Sequence, residues 1–362
     1  GAKGGTTMQP NRRTDFACVP ARLAVSFLLA LLGMPACTSG AADDDEAGAD
    51  VGDAIDAEHV SDGRDRPVEE EVSTPPNPIA PERYDCRAHD DPPPDRISPI
   101  AWDCLLDPTC RDRFIVGHRG AGGDFGVVAP ENSLAAFRAA ILMATDYLET
   151  DPRVTADGEV ILFHDPDVDR VTDGTGDIEP MTFAEVRALS FKTDKYDGDF
   201  ACERIPTLRE AIALCRDRAI LMLDMNKTDD VEAVVAVIQE EDAVDQVIFD
   251  TSSLDKIDRA LALEPALAIQ IRPDTAAEIG PQVEHFAPLI PTIVELEANI
   301  LAEGAPIVHA LPSRVTIDVF LSADLRAVFL GDVPAYLTWY DDGADMLMTE
   351  RPYLAAIALG RL

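Results

Sequence analysis

The sequence is poor in positive charge. It contains 30 Lys and Arg residues against 67 Asp and Glu residues, which gives a formal net charge of −37 at pH 7. Much of the acid lies in residues 43–71, where Arg64 and Arg66 are the only bases. Such an excess of acid disfavours a nucleic-acid partner and charge-driven binding to anionic lipid. It is compatible with a site that collects cations.

The sequence also lacks an apolar run long enough to span a bilayer. Residues 23–32 are apolar, follow three arginines and have the length expected of a secretory signal. Cys37 comes directly after a small residue, as in a bacterial lipoprotein signal, where it would be the lipidated first residue. Residues 1–37 are therefore predicted to be a signal segment, and the protein is expected to be exported and anchored to the cell envelope. The alternative is an ordinary secretory signal that leaves Cys37 as a free thiol.

No Cys-x-x-Cys pair occurs, so a zinc ribbon is not expected. Export would allow disulfides in the exported body, which carries five cysteines. Cys104 and Cys110 bracket a short loop and could pair, and Cys202 with Cys215 is a second candidate. Buried free thiols are the alternative, because spacing does not determine connectivity.

Composition divides the chain after the signal into three parts. Residues 38–82 are acidic, rich in Ala, Asp and Pro, and are predicted to form a disordered linker. Residues 83–113 contain Pro and Cys and are predicted to be an irregular or helical cap. Residues 114–362 are predicted to form the folded domain.

In residues 114–362, short apolar segments alternate with amphipathic ones. This alternation is typical of a parallel sheet covered by helices. Eight such units predict a closed (β/α)8 TIM barrel. The predicted strands are residues 114–117, 146–151, 220–224, 247–249, 267–271, 292–296, 315–320 and 345–349.

One strand-like segment does not fit the alternation. Residues 160–164 follow the second predicted strand too closely for a helical crossover, and Asp157-Gly158 is a strong hairpin turn. We therefore predict a hairpin and then a small insertion, residues 166–205, in the loop after the second barrel strand. Loops at this end of the strands build the active site of a TIM barrel.

Acidic residues lie at the ends of two predicted barrel strands. Glu149 and Asp151 are two positions apart on one strand, so their side chains point the same way, and Asp224 ends the next barrel strand. Carboxylates of this kind are ligands for Ca²⁺ or Mg²⁺. The alternative is that an Asp at a strand end only caps the following helix.

Two histidines occupy the same end of the predicted barrel. His118 ends the first strand and His164 ends the hairpin. Because the pKa of imidazole lies near neutrality, they are predicted to be the general base and general acid rather than ligands of zinc. Arg119 and Lys227 could neutralise phosphate oxygens, although Arg119 could instead only anchor a carboxylate such as Glu131.

Together these residues resemble the glycerophosphodiester phosphodiesterase family. The resemblance runs from about residue 114 to the C-terminus. The motifs that carry it are His118-Arg119-Gly120, Pro130-Glu131-Asn132-Ser133, Glu149-Thr150-Asp151, Thr155-Ala156-Asp157-Gly158, His164-Asp165, Ile205-Pro206-Thr207-Leu208 and Thr349-Glu350-Arg351-Pro352. The resemblance implies a TIM barrel with an inserted subdomain, two catalytic histidines, and a divalent metal on Glu149, Asp151 and a later acid.

The later acid departs from the family pattern. That acid usually stands in Glu-Ile-Lys, whereas this chain reads Leu223-Asp224-Met225-Asn226-Lys227. Asp224 reaches one methylene less far than Glu, and Lys227 falls one position later. Glu350 also replaces the usual terminal Asp, and Ser133 the usual Thr.

The expected activity is metal-dependent hydrolysis of glycerophosphodiesters to glycerol 3-phosphate and an alcohol. His118 would act as base, His164 as acid, and Glu131 and Asn132 would support the site. Two alternatives stay open. One is a phospholipase D-like enzyme acting on sphingomyelin or lysophospholipids, and the other is a non-catalytic barrel lipoprotein.

Overall fold

The computed structural model describes residues 74–362. The predicted signal segment at residues 1–37, with Cys37, and residues 38–73 of the predicted linker lie outside the described part of the chain.

Ten strands occur in the described residues. They are β1 (Phe114–Gly117), β2 (Tyr147–Thr150), β3 (Pro152–Val154), β4 (Val160–Leu162), β5 (Ile220–Asp224), β6 (Val247–Asp250), β7 (Ala268–Ile271), β8 (Ile293–Glu295), β9 (Arg314–Asp318) and β10 (Met346–Thr349). All except β3 and β4 are parallel and close into one barrel, in which β10 returns to β1 with Leu347 beside Ile115. The predicted TIM barrel is confirmed.

Helices alternate with the barrel strands. They are α1 (Trp102–Leu106), α2 (Leu134–Leu142), α3 (Phe183–Ala188), α4 (Leu208–Cys215), α5 (Val231–Glu240), α6 (Leu254–Leu263), α7 (Ala276–His285), α8 (Leu301–His309), α9 (Leu325–Leu330), α10 (Ala335–Asp341) and α11 (Pro352–Ala358). Side chains cap several of their first turns. Ser133 Oγ accepts a hydrogen bond from the Ala136 amide, for example, which satisfies an otherwise unpaired donor.

Apolar side chains fill the interior in two layers. Outward-facing strand residues such as Leu148 and Leu221 pack against the helices, while inward-facing residues such as Val116, Met222 and Met348 fill the lower barrel. Burial on both faces explains why the strands read as continuous apolar runs.

Residues 102–110 close the amino-terminal end of the barrel. Leu105 packs against the inward-facing strand residues, and its carbonyl accepts hydrogen bonds from Tyr147 Oη at 2.7 Å and from Arg314 at 3.0 Å. Arg314 is fully buried and its guanidinium lies 4.5 Å from the centre of the Phe114 ring. The bottom of the barrel is therefore sealed, and the acidic residues Glu149, Asp151 and Asp224 lie towards the opposite end.

The hairpin of β3 and β4 stands in the loop after β2, as predicted. Arg153 pairs with Ile161, and the turn contains Gly158 with a φ of 89°. The following insertion builds a small apolar core of its own on this hairpin, in which Phe163, Val168 and Phe191 are buried. The insertion is thereby attached at the carboxyl end of the barrel strands.

Two disulfides occur among the described residues. Cys104 pairs with Cys110, which is one of the two candidate pairings from the sequence. Cys202 pairs with Cys86, 116 residues away. The candidate pairing of Cys202 with Cys215 is wrong, because Cys215 lies buried on α4 as a free thiol. Burial raises the pKa of Cys215 to about 12, so the thiol is inert.

Candidate functional site

His118 sits in a tight turn that follows β1. The Gly120 amide donates to the Gly117 carbonyl, and Arg119 adopts a left-handed φ of 47° between them. A Cβ on Gly117 would lie 1.9 Å from the Gly120 oxygen, and one on Gly120 would collide with Phe137. The two glycines therefore allow the turn, which directs His118 into the barrel mouth.

Three groups hold the His118 imidazole. Its Nδ1 lies 2.7 Å from Glu350 Oε1, its Nε2 lies 3.8 Å from Glu149 Oε2, and its ring stacks on Phe320 with centroids 4.5 Å apart. Burial lowers the pKa of His118, but the Glu350 hydrogen bond and the Glu149 charge outweigh it and raise the pKa to about 9. Because Glu350 fixes Nδ1 as the donor, Nε2 is the nitrogen that can exchange a proton.

Three carboxylates converge beside His118. Glu149, Asp151 and Asp224 are buried and offer oxygens that all lie within 4.8 Å of one another. Burial and the neighbouring charge of Asp151 raise the pKa of Glu149 to about 8. Such crowding is unfavourable without a cation, so this observation supports a metal centre.

The three carboxylates offer only oxygen atoms to a metal. A cluster of oxygen ligands without Cys or His suits hard cations such as Ca²⁺ and Mg²⁺. Lys227 Nζ lies 3.4 Å from Asp224 Oδ2 and 4.0 Å from Asp151 Oδ1, and it supplies positive charge at the same place. Burial raises the pKa of Asp224, but Arg272 and Lys227 outweigh it and keep the pKa below its usual value.

Asn132 and Arg119 orient two of these carboxylates. Asn132 Nδ2 donates to Asp151 Oδ2 at 2.8 Å, and the Arg119 backbone amide donates to Glu149 Oε2 at the same distance. The Arg119 guanidinium is buried against Glu131, with Nη1 2.8 Å from Oε1. The structure therefore contains the predicted contact between Arg119 and Glu131. The contact of Arg119 with a phosphate stays a prediction.

His164 reaches the site from the hairpin. Its Nδ1 lies 2.7 Å from Asp165 Oδ1, and it is half-buried. Arg153 donates to the His164 carbonyl at 2.8 Å and to the Lys227 carbonyl at 3.0 Å, so one guanidinium joins the hairpin to the loop after β5. The imidazole Nε2 of His164 has no hydrogen-bond partner among residues 74–362.

Sequence reasoning missed the partners that orient the site. Glu350 and Asp165 each hold one histidine, and Arg170 from the insertion contacts Asp165 Oδ2 at 2.6 Å. The signal was present for Asp165, which directly follows His164. Glu350 stood in a family motif, but its contact with His118 depends on barrel closure, and the contacts of Arg170 depend on the path of the insertion.

A second charged group at the barrel mouth was also missed. Arg272, just after β7, donates to Asp250 at 2.8 Å and lies 3.3 Å from Glu295 and 3.8 Å from Asp224. Asp250 and Glu295 are the last residues of β6 and β8. Charged residues that end apolar strands were therefore the signal that could have revealed this group.

Comparison with known proteins finds a family that part of the chain resembles. The family model of the glycerophosphoryl diester phosphodiesterase family matches residues 118–262, which include both histidines and all three clustered carboxylates. The chain is similar to this family over those residues. Glycerophosphodiester phosphodiesterase 1 of Bos taurus is 46% identical over 107 residues, 29% of this chain and 31% of that protein. The chain thus spans about a third of that relative's length.

Solved structures of the glycerophosphodiester phosphodiesterase family share the fold. A glycerophosphoryl diester phosphodiesterase of Parabacteroides distasonis gives a TM-score of 0.63 at 24% identity, over 71% of this chain and 90% of that one. An Oleispira antarctica phosphodiesterase, solved in complex with the product sn-glycerol-3-phosphate, gives 0.55 at 23% identity, over 67% and 96%. These similarities confirm the TIM barrel.

Proposed function

We propose that this protein hydrolyses glycerophosphodiesters to glycerol 3-phosphate and an alcohol. The observation that carries the proposal is the buried cluster of Glu149, Asp151 and Asp224, with His118 Nε2 only 3.8 Å from Glu149. The family match over residues 118–262 and the product bound by the Oleispira antarctica phosphodiesterase support the same substrate class.

A divalent cation, Ca²⁺ or Mg²⁺, would be held by Glu149, Asp151 and Asp224. When bound, such an ion polarises a phosphoryl oxygen and stabilises the charge of the transition state. Lys227, which lies on the same carboxylates, would neutralise further phosphate charge. Burial of these side chains keeps water away and strengthens each of their electrostatic interactions.

The two histidines are each paired with a carboxylate. Glu350 holds Nδ1 of His118 and Asp165 holds Nδ1 of His164, so Nε2 of each ring is left to move a proton. We assign His118 as the base that takes a proton from the attacking oxygen, because a cation on Glu149 would offset the negative charge that helps to raise the pKa of His118. We assign His164 as the acid that protonates the leaving alkoxide.

The experiment that tests the activity is release of glycerol 3-phosphate from glycerophosphocholine. Wild type should turn over, and His164→Ala should lose about 10²- to 10⁴-fold in rate, the usual contribution of general acid–base catalysis. His285→Ala is the matched control, because His285 lies on α7 and pairs with Asp258. Full activity of the His164→Ala variant would remove the histidine from the mechanism.

A second substrate separates the two histidine roles. A glycerophosphodiester with a p-nitrophenol leaving group needs little protonation. His164→Ala should therefore recover most of its rate on that substrate, whereas His118→Ala should not. Recovery by His118→Ala alone would reverse the assignment.

We also propose that the protein is exported and lipid-anchored at Cys37. The two disulfides among the described residues support export, because disulfides persist in oxidising compartments. No helix within residues 74–362 has both the length and the apolar character to cross a bilayer. Membrane fractionation of cells expressing the wild type and Cys37→Ser tests the anchor, since an alkaline wash should release the variant from the membrane fraction but not the wild type.

A further inference from the structure

Large apolar side chains are exposed at the carboxyl end of the barrel. Eleven such side chains are exposed among residues 74–362. Five of them lie in the loop after β1, or in the loop after β9 and the helix α9 that continues it. We call these five the apolar rim: Phe125, Val127, Leu321, Phe329 and Leu330. Leu321 and Phe329 are the most exposed, at 70% and 68%. Exposed apolar groups of this kind mark surfaces that contact another apolar phase.

The two rim loops meet around His118. Phe320, in the loop after β9, stacks on the His118 ring, and the Asp324 carboxylate of the same loop accepts a hydrogen bond from the Glu350 amide at 2.7 Å. On the other loop, a Cβ on Gly122 would lie 2.5 Å from the Glu350 carbonyl. Because both loops contact the residues that position His118, the apolar rim borders the entrance to the proposed active site.

The chain enters the described fold beside the apolar rim. Thr74 Oγ1 donates to the Val328 carbonyl at 2.7 Å, one residue before Phe329. The proposed anchor at Cys37 lies 37 positions before Thr74 in the sequence. The chain therefore arrives from the proposed anchor at the same end of the barrel as the rim.

Most charges next to the apolar rim are paired with one another. Arg326 donates to Asp332 at 3.0 Å, and Asp124 lies 3.1 Å from Arg119 and 2.7 Å from Arg170. Lys195 donates to the Asp124 carbonyl at 3.3 Å and adds a single exposed cation. In a chain with a net charge of −37, one such cation is less than the cluster of basic residues that anionic lipid requires. The rim therefore suits a surface that is bound by apolar contact.

We propose that the apolar rim inserts into the interface of a zwitterionic bilayer and holds the barrel mouth at the lipid surface. A folded protein seated on the rim would cover the entrance beside His118, whereas a lipid surface would present its own headgroups to that entrance. The biological purpose of this insertion rests on the proposed function. The vesicle-binding test below does not require the protein to be active. It predicts that the protein acts on phosphodiesters that lie at a membrane surface.

Vesicle flotation tests the insertion. The full chain carrying Cys37→Ser, which removes the proposed anchor, should float with phosphatidylcholine vesicles. Phe329→Gln and Leu321→Gln should each weaken partitioning about tenfold, since burial of one large apolar side chain contributes about 1.5 kcal/mol or more. Ile290→Gln and Ile307→Gln are the matched controls, because both residues are exposed but lie outside the rim. Equal flotation of rim and control variants would overturn the proposal.

Two further readouts separate the possible outcomes. The rim variants should turn over soluble glycerophosphocholine at the rate of the wild type. If the wild type itself does not hydrolyse glycerophosphocholine, only the proposed function is contradicted. In a Phe329→Trp variant, the added indole emission should shift to the blue when vesicles are added. A blue-shifted emission without vesicles would mean that the rim is already covered by the chain's own residues or by a second copy, which would overturn the lipid assignment. Binding confined to phosphatidylglycerol vesicles would also overturn it.

Discussion

The Arg170 guanidinium donates to both oxygens of Glu131, at 2.8 and 2.6 Å, and its Nε donates to Asp165 at 2.6 Å. Glu131 in turn binds Arg119, and Asp165 binds His164. The Arg170 side chain of the insertion thereby joins two carboxylates, of which one holds Arg119 and the other holds His164. Bidentate pairing of this kind fixes geometry as well as charge.

Replacing Arg170 should therefore lower kcat more than it changes KM. We expect Arg170→Met to lose about 10- to 100-fold in kcat, the range found for residues that orient ligands from outside the site. Arg259→Met is the matched control, since Arg259 pairs with Glu232 on the outer helices. An unchanged kcat in Arg170→Met would show that His164 and Arg119 are positioned without it.

The raised pKa of Glu149 predicts how stability depends on pH when metal is removed by a chelator. The pKa of about 8 in the folded state lies above the ordinary value of 4.5 for a glutamate, so the folded state binds the extra proton. The stability of the chelated protein should therefore fall as pH rises from about 5 to 8, by at most about 1.4 kcal/mol per pH unit. Thermal unfolding at several pH values measures this slope.

Glu149→Gln provides the control for this prediction. The variant has no proton to lose at this position, so the pH dependence of its unfolding should be flatter. Added Ca²⁺ or Mg²⁺ should raise the Tm of the wild type more at pH 8 than at pH 5.5. The same slope in wild type and variant would assign the pH dependence to other groups.

Asp224 is the irregular ligand of the proposed metal site. Asp224→Asn should weaken divalent-metal binding by more than about 100-fold, because loss of a direct ligand exceeds the effect of an outer partner. Asp224→Glu should bind more tightly than Asp224→Asn because it keeps the charge. Calorimetry measures both, with Asp258→Asn as the surface control. If Asp224→Asn bound the divalent metal as tightly as the wild type, Asp224 would not be a ligand of the metal.

Arg314 stabilises the closed bottom of the barrel. It is fully buried and donates to the Leu105 carbonyl and, at 3.3 Å, to the Cys110 carbonyl. Arg314→Met should lower the free energy of unfolding by about 3 kcal/mol, because buried acceptors lose their donor. The activity per folded molecule should not change. Denaturant unfolding measures the effect, with Arg209→Met as the control. A free energy of unfolding in Arg314→Met equal to that of the wild type within error would contradict the prediction.

The eight barrel strands could be predicted because each is buried on both faces and so forms a short apolar run. The hairpin could be predicted because Asp157-Gly158 is a local turn signal. His118, Glu149, Asp151 and Asp224 could be placed at one end because parallel strands share their carboxyl edge.

Contacts between distant residues could not be predicted. Glu350 meets His118 across 232 residues, and Cys86 meets Cys202 across 116. Both depend on the exact closure of the barrel and on the path of the insertion, which no local pattern specifies. Spacing alone favoured Cys215 as the partner of Cys202, although α4 directs Cys215 into the apolar core.

We propose above that a divalent metal on Glu149, Asp151 and Asp224, together with two histidines, hydrolyses glycerophosphodiesters. The most direct test is the rate of glycerol 3-phosphate release from glycerophosphocholine by the purified protein after chelation, during titration with Mg²⁺ or Ca²⁺. We expect no turnover in the chelated protein, recovery on titration, and no recovery in Asp151→Asn. Turnover that persists through chelation and in Asp151→Asn would contradict the proposed mechanism.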